Sequence, residues 1–241
     1  MRNVLFILLL CCNIIVAQKN GKITYTAYFA KSKATPELRK QDLMTYQELL
    51  DEEMMAKMLT FHLDFNENES LFYLASNSIS EDENQETKKY VIGLFYGFDQ
   101  MYINKTRDEL VEQMYYTSGT LLKVRKASLI DWQLTSESKM ISGYKCYKAT
   151  YTYVQKWKGR EFPWEVVAWY TPEIPLQYGP IRYSGLPGLI LEISEDNRGF
   201  VVDEIVFTDE EVTIDMPTEG EVMTEEELER RHQREKFQLK F

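Results

Sequence analysis

Histidine and cysteine, which carry much of hydrolytic and metal chemistry, are nearly missing: two of one and three of the other in 241 residues. His62 stands in an alternating apolar pattern and His232 in a charged one, and neither adjoins a Gly-x-Ser-x-Gly elbow. A Ser-His-Asp site has little to be built from, and Ser184, a serine beside Gly185, reads as turn chemistry. Zinc asks for three or four His, Cys or carboxylate ligands at characteristic spacing, so no metal and no cofactor is expected. The acidic run Ser76–Lys88 lacks the alternating Asp/Asn-plus-Gly spacing of a calcium loop and reads as a solvated loop.

Basic stripes are also absent. Met1–Ala17 has a basic start at Arg2 and an apolar run from Val4 to Cys12, which reads as a secretory signal cleaved before Gln18. The run is too short to span a bilayer. Cys11 and Cys12 follow Leu10 and Cys11, not the small residue that lipid attachment needs. Without this leader the chain has 27 basic and 38 acidic side chains, a net charge of −11 with histidine neutral. That balance argues against nucleic acid and anionic membrane as partners and favours solubility. Only Cys146 is left, so no internal disulfide can form, and the fold must rest on its core. Residues 18–241 suffice for one such domain. Cys146 alternates with tyrosines and reads as a small buried hydrophobe.

What is present in unusual density is proline between Thr171 and Ile193. Pro172, Pro175, Pro180 and Pro187, four of the seven in the chain, fall there with Gly179, Gly185 and Gly188. Proline fixes φ and removes a donor, so this stretch is neither helix nor inner strand until it ends at Leu189. Leu186–Leu189 has the residues of a type II turn, with Pro187 second and Gly188 third, and Gly185 just before it. Leu189, Leu191 and Ile193 then begin a buried strand.

Gly185-Leu186-Pro187-Gly188-Leu189-Ile190 is the signature of a family, and the chain resembles the GLPGLI family of secreted Bacteroidetes proteins. Gly143–Cys146, the run Ala168–Pro175 and Gly179-Pro180 follow the order of motifs in that family. The resemblance implies a secreted or periplasmic protein accompanying a TonB-dependent outer-membrane receptor. It implies no agreed activity.

Along the chain, Ile23–Phe29 alternates as an opening strand. Thr35-Pro36 starts a helix running to about Met58, whose methionines read as core filler. Short strands are expected at Thr60–Phe65, Ser70–Leu74, Tyr90–Phe95, Gln100–Asn104, Leu110–Tyr116, Leu121–Lys126 and Trp132–Glu137. Tyr144–Gln155 and Glu165–Tyr170 form the arms of a long hairpin. Phe200–Phe207 pairs back on Leu189–Ile193, and Glu211–Asp215 reads as a last strand. Thr224 and Glu227 make a capping box for a charged, peripheral helix from about residue 224. The closing Phe237–Phe241 faintly resembles a barrel's last strand, but too few long strands precede it.

The expected class is therefore mainly β (β-rich α+β). A long curved antiparallel sheet forms an open half-barrel or bowl, with one packed helix and the peripheral C-terminal one. That bowl looks like periplasmic lipoprotein carriers and like the bowl-shaped accessory domain of some secreted glycan-processing amidases. The function expected is a non-catalytic envelope binding or accessory protein. Its ligand, a lipid, glycan or peptide, would meet Tyr147, Tyr151, Tyr153, Trp157, Trp169 and Tyr178. The alternative is a secreted hydrolase whose paired carboxylates come from Glu165, Glu173 and Glu192. A third reading is an assembly partner using the C-terminal helix. The sequence leaves the oligomeric state open.

Overall fold

A computed structural model describes residues 19–76, 85–116, 119–128, 130–157 and 159–238, with side chains undescribed at 85, 116, 155–157 and 232–238. The expected leader, Cys11, Cys12 and the last three residues lie outside the described residues. Twelve strands form a single sheet that does not close into a barrel. In chain order they are β1 (Asn20–Phe29), β2 (Thr60–Phe65), β3 (Glu69–Leu74), β4 (Gln100–Asn104), β5 (Glu109–Tyr116) and β6 (Gly119–Arg125). Then come β7 (Gln133–Ile141), β8 (Tyr144–Trp157), β9 (Arg160–Thr171), β10 (Leu189–Glu195), β11 (Arg198–Thr208) and β12 (Glu221–Thr224). Their spatial order is β12-β6-β5-β4-β3-β2-β1-β11-β10-β9-β8-β7. Two meanders thus grow outward from β1, one through β2 to β6 and the other through β11 back to β7. Every pair is antiparallel except β12 with β6.

Alternation dictates which side chains enter the core. Ile23, Tyr25 and Ala27 of β1 are fully buried, as are Phe61 and Phe65 of β2. Phe61, Phe72 and Phe200 pack ring against ring, stacked or edge-on. The opposite face carries a smaller cluster of Tyr102, Val111 and Leu122, covered by Ile214 and Val212. That cover comes from the stretch expected to be a strand at Glu211–Asp215. It is irregular, and the last strand is β12 instead.

Four helices accompany the sheet: α1 (Pro36–Gln41), α2 (Leu43–Met58), α3 (Gln85–Leu94) and α4 (Glu225–Gln238). The expected single helix is broken at Asp42, which ends α1 and caps α2 by accepting the Thr45 amide. Burial on α2 follows Met55 and Ala56, whereas Met44, Met54 and Met58 are exposed, so the methionines are mostly not core. Tyr90–Phe95, expected as a strand, belongs to α3 and the turn after it. Val91, Ile92 and Phe95 are one helical turn apart and bury together, a spacing that a six-residue window cannot separate from a strand. The capping box forms: Thr224 Oγ1 accepts the Glu227 amide, and the Glu227 carboxylate accepts the Thr224 amide. Among the described residues, no helix is long and apolar enough to cross a membrane.

Candidate functional site

β9 and β10 are neighbours, yet 17 residues separate them, because residues 172–188 leave the sheet and lie across its inner face. Ile174, Leu176, Tyr178, Ile181, Tyr183 and Leu186 are buried in the same cluster as Tyr25, Phe61 and Phe65. Backbone bonds fasten the crossing: Leu189 N donates to Ile174 O (3.0 Å), Ile190 N to Tyr178 O (3.0 Å) and Gly185 N to Gln177 O (3.1 Å). The open concavity expected from the sequence is thus filled by the chain's own segment. The turn differs from type II as well. The Gly188 amide donates to Leu186 O around Pro187, and the Leu189 amide goes to Ile174. Gly188 is required by close approach: a Cβ there would lie 2.1 Å from the Thr171 carbonyl oxygen.

At the centre of the crossing, Arg182 is only 6% exposed. Its guanidinium meets Glu112 of β5 (2.8 Å) and Glu195 of β10 (3.0 Å). Five strands lie between β5 and β10 in the sheet, so one side chain reaching both acids measures how far the sheet curls. Lys123 (2.5 Å) and Arg125 (3.6 Å) complete the partners of Glu112. Tyr183 OH (2.6 Å), Tyr96 OH (2.8 Å) and Arg198 (3.2 Å) complete those of Glu195. Burial alone would raise both carboxyls. Lys123 and Arg182 hold Glu112 well below the carboxylate range, and Arg182 with the tyrosine hydroxyls holds Glu195 below it. Both acids are ionised and paired with buried cations, which suits a strut and not proton transfer.

The aromatic residues singled out in the sequence do not share one surface. Tyr147 packs on Tyr170 (6.3 Å), Tyr151 on Trp132 (5.9 Å), and Tyr153 lies 5.2 Å from the Arg182 guanidinium. These three tyrosines lie on the inner side of β8 with the crossing packed there; Trp132 Nε1 donates to Ser184 O. Trp169 faces the other way, opposite Lys148 and Glu192 and under Lys139 (4.5 Å). Tyr178 is fully buried beside Phe65, with Lys105 over its ring. The Trp157 side chain lies outside the described residues.

Glu165, Glu173 and Glu192 do not pair either. Glu173 accepts the Lys145 amide, Glu192 is held by Lys139 (2.6 Å) and Tyr28, and Glu165 is exposed on β9. Cys146 is buried, and burial pushes its thiol up to about 11, which makes it a poor nucleophile at neutral pH. Among the described residues, no cluster of three His, Cys, Asp or Glu side chains could hold a metal.

What the fold does leave open is a cleft of about 330 Å³ where α2 and α3 meet the end of β1 and the β10–β11 turn. Phe29, Leu49, Tyr90 and Leu94 give it apolar wall, beside Tyr96 and Trp164. The Trp164 indole N–H is buried without a hydrogen-bond partner among the described residues. Arg198 lies over the rings of both Tyr96 (5.0 Å) and Trp164 (5.8 Å). The turn is pinned to β1: Ala30 N donates to Asn197 O, and Lys31 N to Asn197 Oδ1. Glu53 is spent on the Ser32 hydroxyl and the Lys33 amide. The side chains of Lys31, Lys33, Glu52 and Asp196 make no hydrogen bond or ion pair within 4 Å among the described residues, yet all four line the cleft. Burial raises the Glu52 carboxyl above its ordinary value; Lys33 opposes the shift, and Glu48 and Glu53 add to it.

Sequence reasoning missed both the strut and the cleft. A charged Arg182 in an otherwise apolar, proline-rich stretch was the available signal for a buried partner. The cleft offered none, since its residues come from five separate elements and turns.

A family model described as "Protein of unknown function (Porph_ging)" matches residues 161–192, which include the Gly185–Ile190 hexapeptide. By sequence, no curated protein matches. Two solved structures of PNGF-II are similar in fold. The one in space group C2 aligns at TM-score 0.52 and 12% identity over 89% of this chain and 32% of that one. The one in P21 aligns at 0.49 and 14%, over 86% and 31%. The chain thus spans about a third of the length of PNGF-II.

Proposed function

We propose that this chain is an exported, non-catalytic binding or accessory domain of the cell envelope. Its ligand occupies the cleft between α2, α3 and the β10–β11 turn, not the face of the sheet. The observation that carries this reading is the set of unspent polar groups there. Two ammonium groups, two carboxylates and a buried indole N–H line one recess together with aromatic and aliphatic wall. The buried indole N–H is costly to leave unpaired and is satisfied when a ligand arrives. The ammonium and carboxylate groups around it, exposed or half-buried, have no partner of their own to give up. Their mixed signs suit a polar ligand with donors, acceptors and an apolar side, a glycan or a peptide. A lipid chain would need the hollow that residues 172–188 fill.

The leader at Met1–Ala17 and the single remaining cysteine support export. The match over residues 161–192 supports placement in the GLPGLI family, and with it a TonB-dependent receptor as partner. That PNGF-II carries this fold in about a third of its length supports a domain that works beside others. The test is native mass spectrometry of the protein purified from its own periplasm. A co-purifying glycan or peptide that Trp164→Ala and Lys31→Ala release from the folded protein is expected. A ligand retained by both variants, or none at all, overturns the reading.

A second reading follows from Glu52. Its raised carboxyl shares the cleft with the unpaired Asp196, which is what a carboxylate-pair hydrolase would need. Turnover of a captured ligand that Glu52→Gln abolishes, while binding persists, would favour it.

A further inference from the structure

The cleft between α2, α3 and the β10–β11 turn separates the two ligand classes that its mixed charges admit. Its charged lining balances, with Lys31, Lys33 and Arg198 against Glu52, Glu53 and Asp196. An ion of either sign entering it meets repulsion as well as attraction. Main-chain groups are closed to a ligand too. β1, β9 and β11, which contribute Phe29, Trp164 and Arg198, each have a strand on both sides, because the sheet ends at β12 and β7. Around the rim, Ala30 N is spent on Asn197 O, Lys31 N on Asn197 Oδ1, Lys33 N on Glu53 and Asp196 N on Glu165 O. An extended peptide binds by adding its main chain to an open strand edge, and a helix needs a long apolar groove. Neither is on offer here.

What the cleft does offer is side chains of complementary hydrogen-bonding sense. Lysine and the Trp164 indole N–H only donate, and an ionised carboxylate only accepts, whereas a hydroxyl does both. Lys33 lies close enough to Glu52 to oppose the rise of its carboxyl, yet the two form no ion pair, so a hydroxyl between them would serve each. Tyr90 of α3 lines the same space, is 54% exposed and meets no other ring or cation among the described residues. We propose that the ligand of this cleft is the uncharged end of a glycan. Trp164 donates its buried N–H to one hydroxyl, Lys33 and Glu52 share a second, and Tyr90 covers the C–H face of the sugar ring. This assignment rests on the cleft being the binding site. At about 330 Å³ the cleft is at the small end of ligand sites, which run from about 300 to 1,000 Å³. It therefore takes roughly one or two sugar rings, the end of a chain and not its length.

The test applies the full chain to an array of neutral, N-acetylated, uronic and sialylated mono- and disaccharides, and to an array of tripeptides. Whatever binds is then titrated by calorimetry. An uncharged saccharide is expected to bind, and its uronic analogue to bind about tenfold more weakly or worse. Trp164→Phe keeps a ring and removes the donor; Lys33→Ala removes an exposed side chain that the fold does not use. Each should weaken saccharide binding about tenfold, the worth of one hydrogen bond, with cooperative urea unfolding retained. Tripeptides bound in place of saccharides, and weakened by the same two variants, would overturn the glycan and keep the cleft. Saccharide binding that both variants leave unchanged would overturn the cleft itself and this assignment with it. A preference for the uronic or sialylated forms overturns the uncharged end. No binding to either array overturns the glycan, and the native mass spectrum of the periplasmic protein then judges the cleft separately.

Discussion

Arg182 Nε lies 2.8 Å from Glu112 Oε1, joining a loop to a strand 70 residues earlier. Because the same guanidinium also holds Glu195, the crossing is tied to both walls of the curled sheet at one point. Removing Arg182 leaves two ionised acids without a shared cation in a space closed to water. Arg182→Ala should therefore cost about 3–5 kcal/mol, read as a lower urea midpoint. Arg182→Lys should recover only part, since one ammonium cannot fork to two carboxylates. An unchanged midpoint in the alanine variant would mean the crossing is held by its apolar residues alone.

Gly188 and Gly185 separate two reasons for glycine. At Gly185 φ is +86° with nothing within 4 Å of an added Cβ, so Gly185→Ala should cost only the left-handed penalty, about 1–2 kcal/mol. At Gly188 the Cβ would meet Thr171 O at 2.1 Å and Pro172 Cα at 2.9 Å, backbone that cannot step aside. Gly188→Ala should cost about 3 kcal/mol or more, enough to depress the thermal midpoint visibly more than its neighbour does. Equal losses would place the tight contact elsewhere.

That pair also marks how far the sequence could be read. Proline and glycine between Thr171 and Gly188 announced a stiff crossing into a buried strand, and the structure has one. Nothing local said that it would fold inward, because that depends on which surface lies opposite, and Glu112 of β5 is 70 residues from Arg182 in sequence. Alternation found the strands, since one side of each is buried. It failed at Tyr90–Phe95, where three apolar residues one helical turn apart also fit a strand. The tyrosines of β8 were visible as a face, but their partners Tyr170, Trp132 and Arg182 are matters of register and topology. The cleft was illegible for the same reason: Lys31, Glu52, Trp164 and Asp196 have no common spacing.

Two buried tyrosines should respond oppositely to losing a hydroxyl. Tyr183 OH donates to Glu195 at 2.6 Å, and Tyr183→Phe takes a donor from a buried charge, at about 1.5–3 kcal/mol. Tyr178 OH is buried without a partner among the described residues, so Tyr178→Phe removes only a desolvation cost. It should be neutral or stabilising by up to about 1 kcal/mol. Parallel urea curves decide this. A destabilised Tyr178→Phe would indicate a water or ligand on that hydroxyl.

The pH dependence of stability should carry two carboxylate signatures of opposite sign. Glu112 and Glu195 have folded pKa values below the ordinary 4.5, so their contribution is complete above that value. It is lost as pH falls through the folded values, which makes them part of acid unfolding. Asp99 runs the other way, from 3.8 in the unfolded chain to about 6 in the fold. The fold binds its proton more tightly, so stability declines as pH rises from 3.8 to 6 and stays lowered above. An asparagine side chain in its place cannot ionise and keeps an acceptor for the Tyr115 amide. Asp99→Asn should therefore stabilise the protein by about 1–3 kcal/mol at neutral pH and leave it unchanged near pH 4, where Asp99 is already protonated in the fold. Urea midpoints of both proteins across this range test the sign. A variant less stable at neutral pH would mean that the ionised carboxylate is already paired in solution.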